Sequence, residues 1–274
     1  MIDYYQNKVE CFSKKLNGVN NINLALKELS EFNKDFQDSE FHNIIFQKLM
    51  NNYSRFSNKE LKRFKRNLLA YLFLYTDFKW YKDYPEFTDE MISNNNLDLL
   101  ALNNLKGNYQ ILFQYKSIKN GFFSRYHNSF RRRFDMLKNK PSGNTIGMRT
   151  PYIKLELLGL LNEISILLSR QCGRKIMIQV NSLIRTIEHQ NQLLKIGYTY
   201  STFSAHCKGY AVDIERKWYV MNDPPLFRII NSCLKMYAEK GIINLIDEGL
   251  VWHICLNPAY IEKYQKEVEK WKFK

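Results

Sequence analysis

One stretch of the sequence decides how the C-terminal half is interpreted: residues 204–213, SAHCKGYAVD, followed forty residues after their aspartate by Trp252-His253. It supplies two imidazoles and one carboxylate. Three such ligands, with a fourth position left for water, are the composition of a catalytic zinc site. His206, Asp213 and His253 are therefore the candidate metal ligands.

Hydrophobic alternation around these residues agrees with this interpretation. In the segment 211–214 two apolar residues alternate with Asp213, so the carboxylate points away from the core, where burial without a partner would be costly. In the segment 251–256 the same alternation places His253 opposite three apolar side chains. The pattern predicts two strands that each present a ligand on the side away from the core.

At these positions the chain resembles the zinc D-Ala-D-Ala peptidases, the carboxypeptidases and dipeptidases of peptidoglycan chemistry, which share their fold with hedgehog signalling domains. The family pattern is Ser-x-His-x-x-Gly-x-Ala-x-Asp, then later Trp-His. The matching positions here are Ser204, His206, Gly209, Ala211, Asp213, Trp252 and His253. The resemblance covers about residues 150–258 and implies that the two histidines and the aspartate bind Zn²⁺.

The resemblance also implies residues around the metal. Arg185 ends a segment similar to the family's Ser-x-x-Arg, whose arginine stabilises the negative charge that develops near the metal. Gln190 lies where the family often has a glutamine, in the helix that follows. Ser204 and Gln190 would then bind substrate.

The general base departs from the family pattern. In the peptidases, a glutamate three residues before the last histidine takes a proton from water and passes it to the leaving amine. Leu250 stands at that position. Glu248 and Asp247 lie five and six residues before His253, and a bulge or turn at Gly249 would bring Glu248 toward the metal. These two acids are the candidate replacements for the base; if neither serves, hydrolysis is weak or absent and the zinc is structural, binding-only or devoted to different chemistry.

The organisation of the chain predicts an α+β protein in two parts. Residues 1–140 have apolar side chains at helical spacing, typical of a helical domain, whose role is unknown. Residues 141–151 concentrate turn formers and are the predicted linker. Residues 152–274 mix helices and strands, so we expect a hedgehog-like or D-Ala-D-Ala peptidase-like zinc domain with a small antiparallel sheet.

Composition limits the class of protein. The chain has 274 residues, 45% of them hydrophobic, which suffices for one or two domains with a real core. The N-terminal sequence lacks the pattern of an export signal, and the apolar stretches are far shorter than the roughly 20 residues of a membrane span. Five scattered cysteines are typical of reduced thiols. We therefore expect a cytoplasmic protein without a membrane span.

The net charge is +14, from 41 basic and 27 acidic residues, and such an excess attracts anions. Two clusters carry part of it: Lys62, Arg63, Lys65 and Arg66, and Arg131, Arg132 and Arg133. They are either a surface for an anionic partner such as RNA or solvated faces that keep the protein soluble.

The function that the sequence favours is a zinc metallopeptidase or amidase that cleaves a peptide or amide bond in a small substrate. A D-Ala-D-Ala-like peptide or a specialised metabolite fits that description. The alternative is a catalytically altered family member that binds a ligand, or binds RNA through its basic helical half. A non-hydrolytic reaction at the metal is the third possibility.

Overall fold

The computed structural model describes residues 2–36, 58–94, 99–105, 107–118, 148–195 and 203–273, together with residues 134, 138, 140 and 141. The chain separates into two compact units. The first comprises Met1–Lys82 and Ile246–Glu248, and the second comprises Asp83–Leu245 and Gly249–Lys274. Within the described ranges, no helix has the length and apolarity needed to cross a membrane.

The first unit is built from amphipathic helices. In the described ranges these are α1 (Ile2–Asn17), α2 (Ile22–Phe36) and α3 (Leu61–Tyr81), with a 3-10 turn at Asn58–Glu60 before α3. Apolar residues three and four positions apart form one buried stripe on each helix, and the three stripes pack into a single core. Tyr5 of α1 joins this core to α3, because its hydroxyl donates to Leu72 O at 2.6 Å. The helical character predicted for this part of the chain is present.

The second unit mixes helices with strands. Its strands are β1 (Leu100–Ala101), β2 (Gln114–Tyr115), β3 (Tyr152–Ile153), β4 (Gln179–Ser182), β5 (Ala211–Glu215), β6 (Ile243–Asp247) and β7 (Val251–Leu256), although the last two residues of β6 are counted with the first unit. Its helices are α4 (Asp89–Ser93), α5 (Leu102–Leu105), α6 (Leu155–Cys172), α7 (Ile187–Lys195), α8 (Lys217–Asn222), α9 (Pro224–Glu239) and α10 (Ile261–Glu267). Two 3-10 turns, Pro258–Tyr260 and Val268–Trp271, flank α10. The α+β class expected from the sequence is confirmed.

Five of these strands form one sheet in the order β2-β4-β5-β7-β6. Strands β4, β5 and β7 pair antiparallel, whereas β2 pairs parallel with β4. Strands β1 and β3 form a separate antiparallel pair. The small antiparallel sheet that the sequence predicts is present as the pair β1-β3, whereas the five-stranded sheet is mixed because β2 joins it in parallel.

The core of this unit lies between the sheet and its helices. Helix α6 is apolar over most of its surface and largely buried, and it ends at Gly173, which adopts a left-handed φ of 61°. The residues of β5 and β7 that alternate with the candidate ligands all belong to this core; they are Val212, Ile214, Trp252, Ile254 and Leu256. The strand phases that hydrophobic alternation predicts are the ones observed, so the ligands face away from the core.

The boundary between the units differs from the one expected at residues 141–151. Strands β1 and β2 precede that segment but pair with β3 and β4, which follow it. Pro151 O also accepts a hydrogen bond from Leu102 N at 2.9 Å. Residues 100–115 are thus built into the second unit, which begins at Asp83. Strands of two residues are too short to show alternation in the sequence, whereas the helical spacing around them extends over many residues.

Candidate metal centre

Three buried side chains meet on one face of the sheet. The atoms His206 Nε2 and His253 Nδ1 each lie 3.1 Å from Asp213 Oδ1, and the two imidazole rings are 5.0 Å apart between centroids. One nitrogen or oxygen from each residue lies within 4.8 Å of those of the other two. The exposed fraction of each residue is 5% or less. The structure thus brings together the three predicted metal ligands.

Strand register places two of these ligands side by side. In the antiparallel pairing of β5 with β7, Asp213 stands directly opposite His253. Side chains opposite each other in such a pair point to the same face, with Cβ atoms about 5 Å apart. On the other side of β5, Ser182 of β4 is the partner of Asp213. The register therefore aligns Ser182, Asp213 and His253 across three strands.

The third ligand, His206, lies in the tight loop before β5. Cys207 N donates to Ser204 O and Gly209 N donates to His206 O, at 2.9 and 3.2 Å. Gly209 has a φ of +81°, and a Cβ atom there would lie 2.8 Å from Phe87 Cε2. Only glycine satisfies both the backbone conformation and this close approach. The glycine of the sequence motif therefore shapes the loop that carries His206.

The charges at the centre suit a metal ligand set. Burial, followed by the charge of Arg185, lowers the pKa of His206 to about 4. Burial by itself would raise the pKa of Asp213, but His206, which is protonated in the acid range where Asp213 would titrate, and the charge of Arg185 hold that pKa well below its usual value. At neutral pH the His206 imidazole is neutral and the carboxylate is ionised. These are the protonation states that metal binding requires.

Arg185 is bound to the carboxylate of Asp213. Its Nη2 lies 2.5 Å from Asp213 Oδ2, and its Nε donates to Ser182 Oγ at 3.1 Å. The sequence resemblance assigns this arginine to charge that develops on the substrate. In the structure its guanidinium instead contacts one of the predicted ligands.

The predicted substitutes for the general base lie in a surface connection. Asp247 ends β6, Glu248 follows it, and both are exposed. Gly249 has a φ of 83°, and Leu250 is 54% exposed. Among the described residues, the group with metal-binding atoms within 4.8 Å of one another consists of His206, Asp213 and His253, without either acid. A catalytic role for Glu248 or Asp247 stays a prediction.

The two residues predicted to bind substrate are both buried. Ser204 is 6% exposed, in the loop that carries His206. Gln190 is 2% exposed, and its backbone N–H donates to Thr186 O in the first turn of α7. Their substrate-binding role stays a prediction.

Two residues of this region were missed by sequence reasoning. Leu183 O lies 2.5 Å from His206 Nδ1, a backbone contact that no side-chain pattern indicates. Glu215 is a second buried carboxylate, two positions after Asp213 and so on the same face of β5, where the period of the strand could have indicated it. It accepts hydrogen bonds from Asn181 Nδ2 and Trp218 N, both at 2.8 Å. These bonds give Glu215 a structural role at the start of α8.

Of the two basic clusters, the structure describes the one on α3. Lys62, Arg63 and Arg66 are exposed on α3. Lys65 is partly buried, and its Nζ donates to Val19 O at 2.6 Å. The second cluster, Arg131, Arg132 and Arg133, lies outside the described residues.

Comparisons of the chain with family models, with curated proteins and with solved structures found no match. The site must therefore be judged by its own chemistry.

Proposed function

We propose that this protein is a zinc-dependent hydrolase that cleaves a peptide or amide bond in a small substrate, with a C-terminal part of the D-Ala-D-Ala peptidase and hedgehog type. The observation that carries the proposal is the buried group of His206, Asp213 and His253, whose ligand atoms converge within 4.8 Å. Two imidazoles and a carboxylate form one of the ligand sets that catalytic zinc sites use. The family resemblance of residues 204–213 and of Trp252-His253 supports the same function.

The residues present fit a zinc ion. A buried carboxylate without a partner is costly, and here Asp213 Oδ1 faces two imidazole nitrogens at 3.1 Å. His206 would bind through Nε2 and His253 through Nδ1, because these are the nitrogens that face the carboxylate. A zinc ion held there would polarise a carbonyl group and lower the pKa of water.

Proton transfer is assigned to the acids of the connection between β6 and β7. Glu248 would take the proton from water and deliver it to the leaving amine, and Asp247 is the alternative. Support comes from their place in the chain. Gly249, which has a positive φ, lies between these acids and the strand that carries His253. A small peptide with D-Ala-D-Ala-like ends, or an amide of similar size, is the proposed substrate class.

The first test is metal content after the purified chain is equilibrated with zinc and dialysed, measured by plasma mass spectrometry. We expect about one zinc per chain in the wild type and none in His206→Ala, because a catalytic site needs its three protein ligands. The matched control is His189→Ala, a histidine outside the ligand group, which should retain zinc. A well-folded wild type without zinc would overturn the proposal.

The second test is a hydrolysis screen with dipeptides and small amides on the same samples. Glu248→Gln should abolish turnover while zinc stays bound, whereas Asp247→Asn should leave turnover largely intact. The reverse result would make Asp247 the base. Zinc binding without turnover, joined by salt-sensitive RNA binding that weakens when Arg131, Arg132 and Arg133 are neutralised, would favour the binding protein instead.

A further inference from the structure

We infer that the segment Ser182–Arg185 positions two of the three metal ligands, and that Arg185 is a positioning residue for Asp213. This inference rests on the proposed function. It changes the part assigned to the arginine, since the sequence resemblance would place its charge on the substrate. Three sets of contacts made by the segment support the positioning role.

The first step is the division of the two carboxylate oxygens of Asp213. Oδ2 lies 2.5 Å from Arg185 Nη2, whereas Oδ1 faces both imidazoles at 3.1 Å. A carboxylate held in this way presents a single oxygen to the histidine side. Arg185 thereby selects which oxygen of Asp213 would bind the metal, and it fixes the orientation of the carboxylate plane.

The second step is that Arg185 is itself held in place. Its Nε donates to Ser182 Oγ at 3.1 Å, and Ser182 is the cross-strand partner of Asp213. The guanidinium has several donors in one rigid plane, so Nε and Nη2 can reach two acceptors at once. A lysine offers a single ammonium on a flexible stem and cannot reproduce both contacts with the same geometry. Nε and Nη2 of Arg185 are therefore both bound within the protein, the first by Ser182 and the second by Asp213.

The third step concerns His206. Its Nδ1 lies 2.5 Å from Leu183 O, and its backbone carbonyl accepts from Arg185 N at 3.2 Å. A carbonyl oxygen can only accept, so Nδ1 must carry the hydrogen and Nε2 keeps its lone pair. That lone pair is on the side of Asp213. The same short segment therefore sets the tautomer of one ligand and the orientation of another, as outer contacts of metal ligands commonly do.

The test is zinc affinity, measured by competition with a chromophoric chelator on the full chain. We expect Arg185→Ala to weaken zinc binding by about 10- to 100-fold, which is typical for the loss of such a contact. Arg185→Lys should restore only part of the affinity, and Ser182→Ala should cause a smaller loss. The matched control is Arg149→Ala, since Arg149 pairs with Asp89 rather than with a ligand and should leave zinc affinity unchanged.

A second readout reports the ligand geometry directly. The visible absorption of the Co²⁺-loaded protein should change in Arg185→Ala and stay the same in Arg149→Ala. Wild-type zinc affinity and an unchanged cobalt spectrum in Arg185→Ala, with only turnover reduced, would overturn the positioning role and leave the proposed function standing. Should Arg185→Ala fail to fold, wild-type affinity in both Arg185→Lys and Ser182→Ala would overturn it equally. A folded wild type that binds no zinc would remove the proposed function, and this inference with it.

Discussion

The two units of the molecule differ in how many polar and charged side chains they bury. Among the described residues of the helical unit, the polar side chains that are buried are those of Thr76 and Asp77, within a core of apolar and aromatic residues. The second unit buries a histidine pair, two carboxylates of one strand and a lysine: His206, His253, Asp213, Glu215 and Lys208. Both units also have an ordinary apolar core, so these charges are not needed to create one.

The buried charges of the second unit cost free energy of desolvation. Burial of a charge is unfavourable unless a partner compensates it, and a buried ion pair often adds little to stability. In the second unit Asp213 is paired with Arg185, and Lys208 is bound by Tyr84 O and Glu86. An arrangement that costs so much desolvation and adds so little stability is typical of a functional site.

The sharpest test of this contrast is the glycine of the metal loop. Gly209→Ala should lower the free energy of unfolding by about 3 kcal/mol, because a left-handed conformation is unfavourable for alanine and its Cβ would meet Phe87 at 2.8 Å. Gly173→Ala is the matched control. It shares a positive φ of 61° but has no neighbour within 4 Å, so about 1 kcal/mol is expected. Urea denaturation of both variants measures the difference, and equal losses would show that the packing at Gly209 is not restrictive.

A smaller effect is expected from pH on the metal-free protein. Folding lowers the pKa of His206 from its ordinary 6.5 to about 4. Between these two pH values the imidazole is protonated in the unfolded chain and neutral in the folded one. The part of the free energy of unfolding that depends on His206 is fully present above pH 6.5 and is lost as the pH falls toward 4. Asp213, whose pKa is also lowered, acts in the same direction below its ordinary 3.8.

Between pH 7 and pH 5 this histidine should account for a loss of about 1–2 kcal/mol in the free energy of unfolding. The measurement is denaturation across that range in the presence of a chelator. His206→Gln, which removes the titrating ring, should show a correspondingly shallower slope. Parallel curves for the two proteins would mean that the burial of this imidazole does not control the acid stability.

The smallest effect concerns a polar contact of the helical unit. Lys65 Nζ donates to Val19 O at 2.6 Å, just beyond the end of α1, where carbonyl groups lack helical partners. Lys65→Met should therefore lower the free energy of unfolding by about 1 kcal/mol. Lys62→Met removes an exposed charge of the same helix and should change it by less than about 0.5 kcal/mol. Equal free energies of unfolding for the two variants would show that the contact of Lys65 with Val19 O does not stabilise the helical unit. Lys65 would then be counted with the exposed basic residues that bind an anionic partner or keep the protein soluble.

Much of the site was predictable because it depends on local patterns. Alternation predicted the phase of β5 and β7, and residue type together with the family resemblance made the two histidines and the aspartate the candidate ligands. The position of Glu248 and Asp247 relative to the ligands was less predictable, since spacing cannot place a side chain across a turn. The short strands β1 and β2 were missed because pairing, rather than intrinsic preference, makes two residues extended.

The sequence by itself determined the α+β class, the strand phases around Asp213 and His253, and the identity of the three candidate ligands. These depend on periodicity and residue type, which are written along the chain. Only the tertiary structure decided where the second unit begins and that Asp213 stands opposite His253. It also decided that Arg185 contacts Asp213 and that Leu183 O contacts His206. Those features arise from strand register and backbone contacts between residues more than twenty positions apart, which no local pattern encodes.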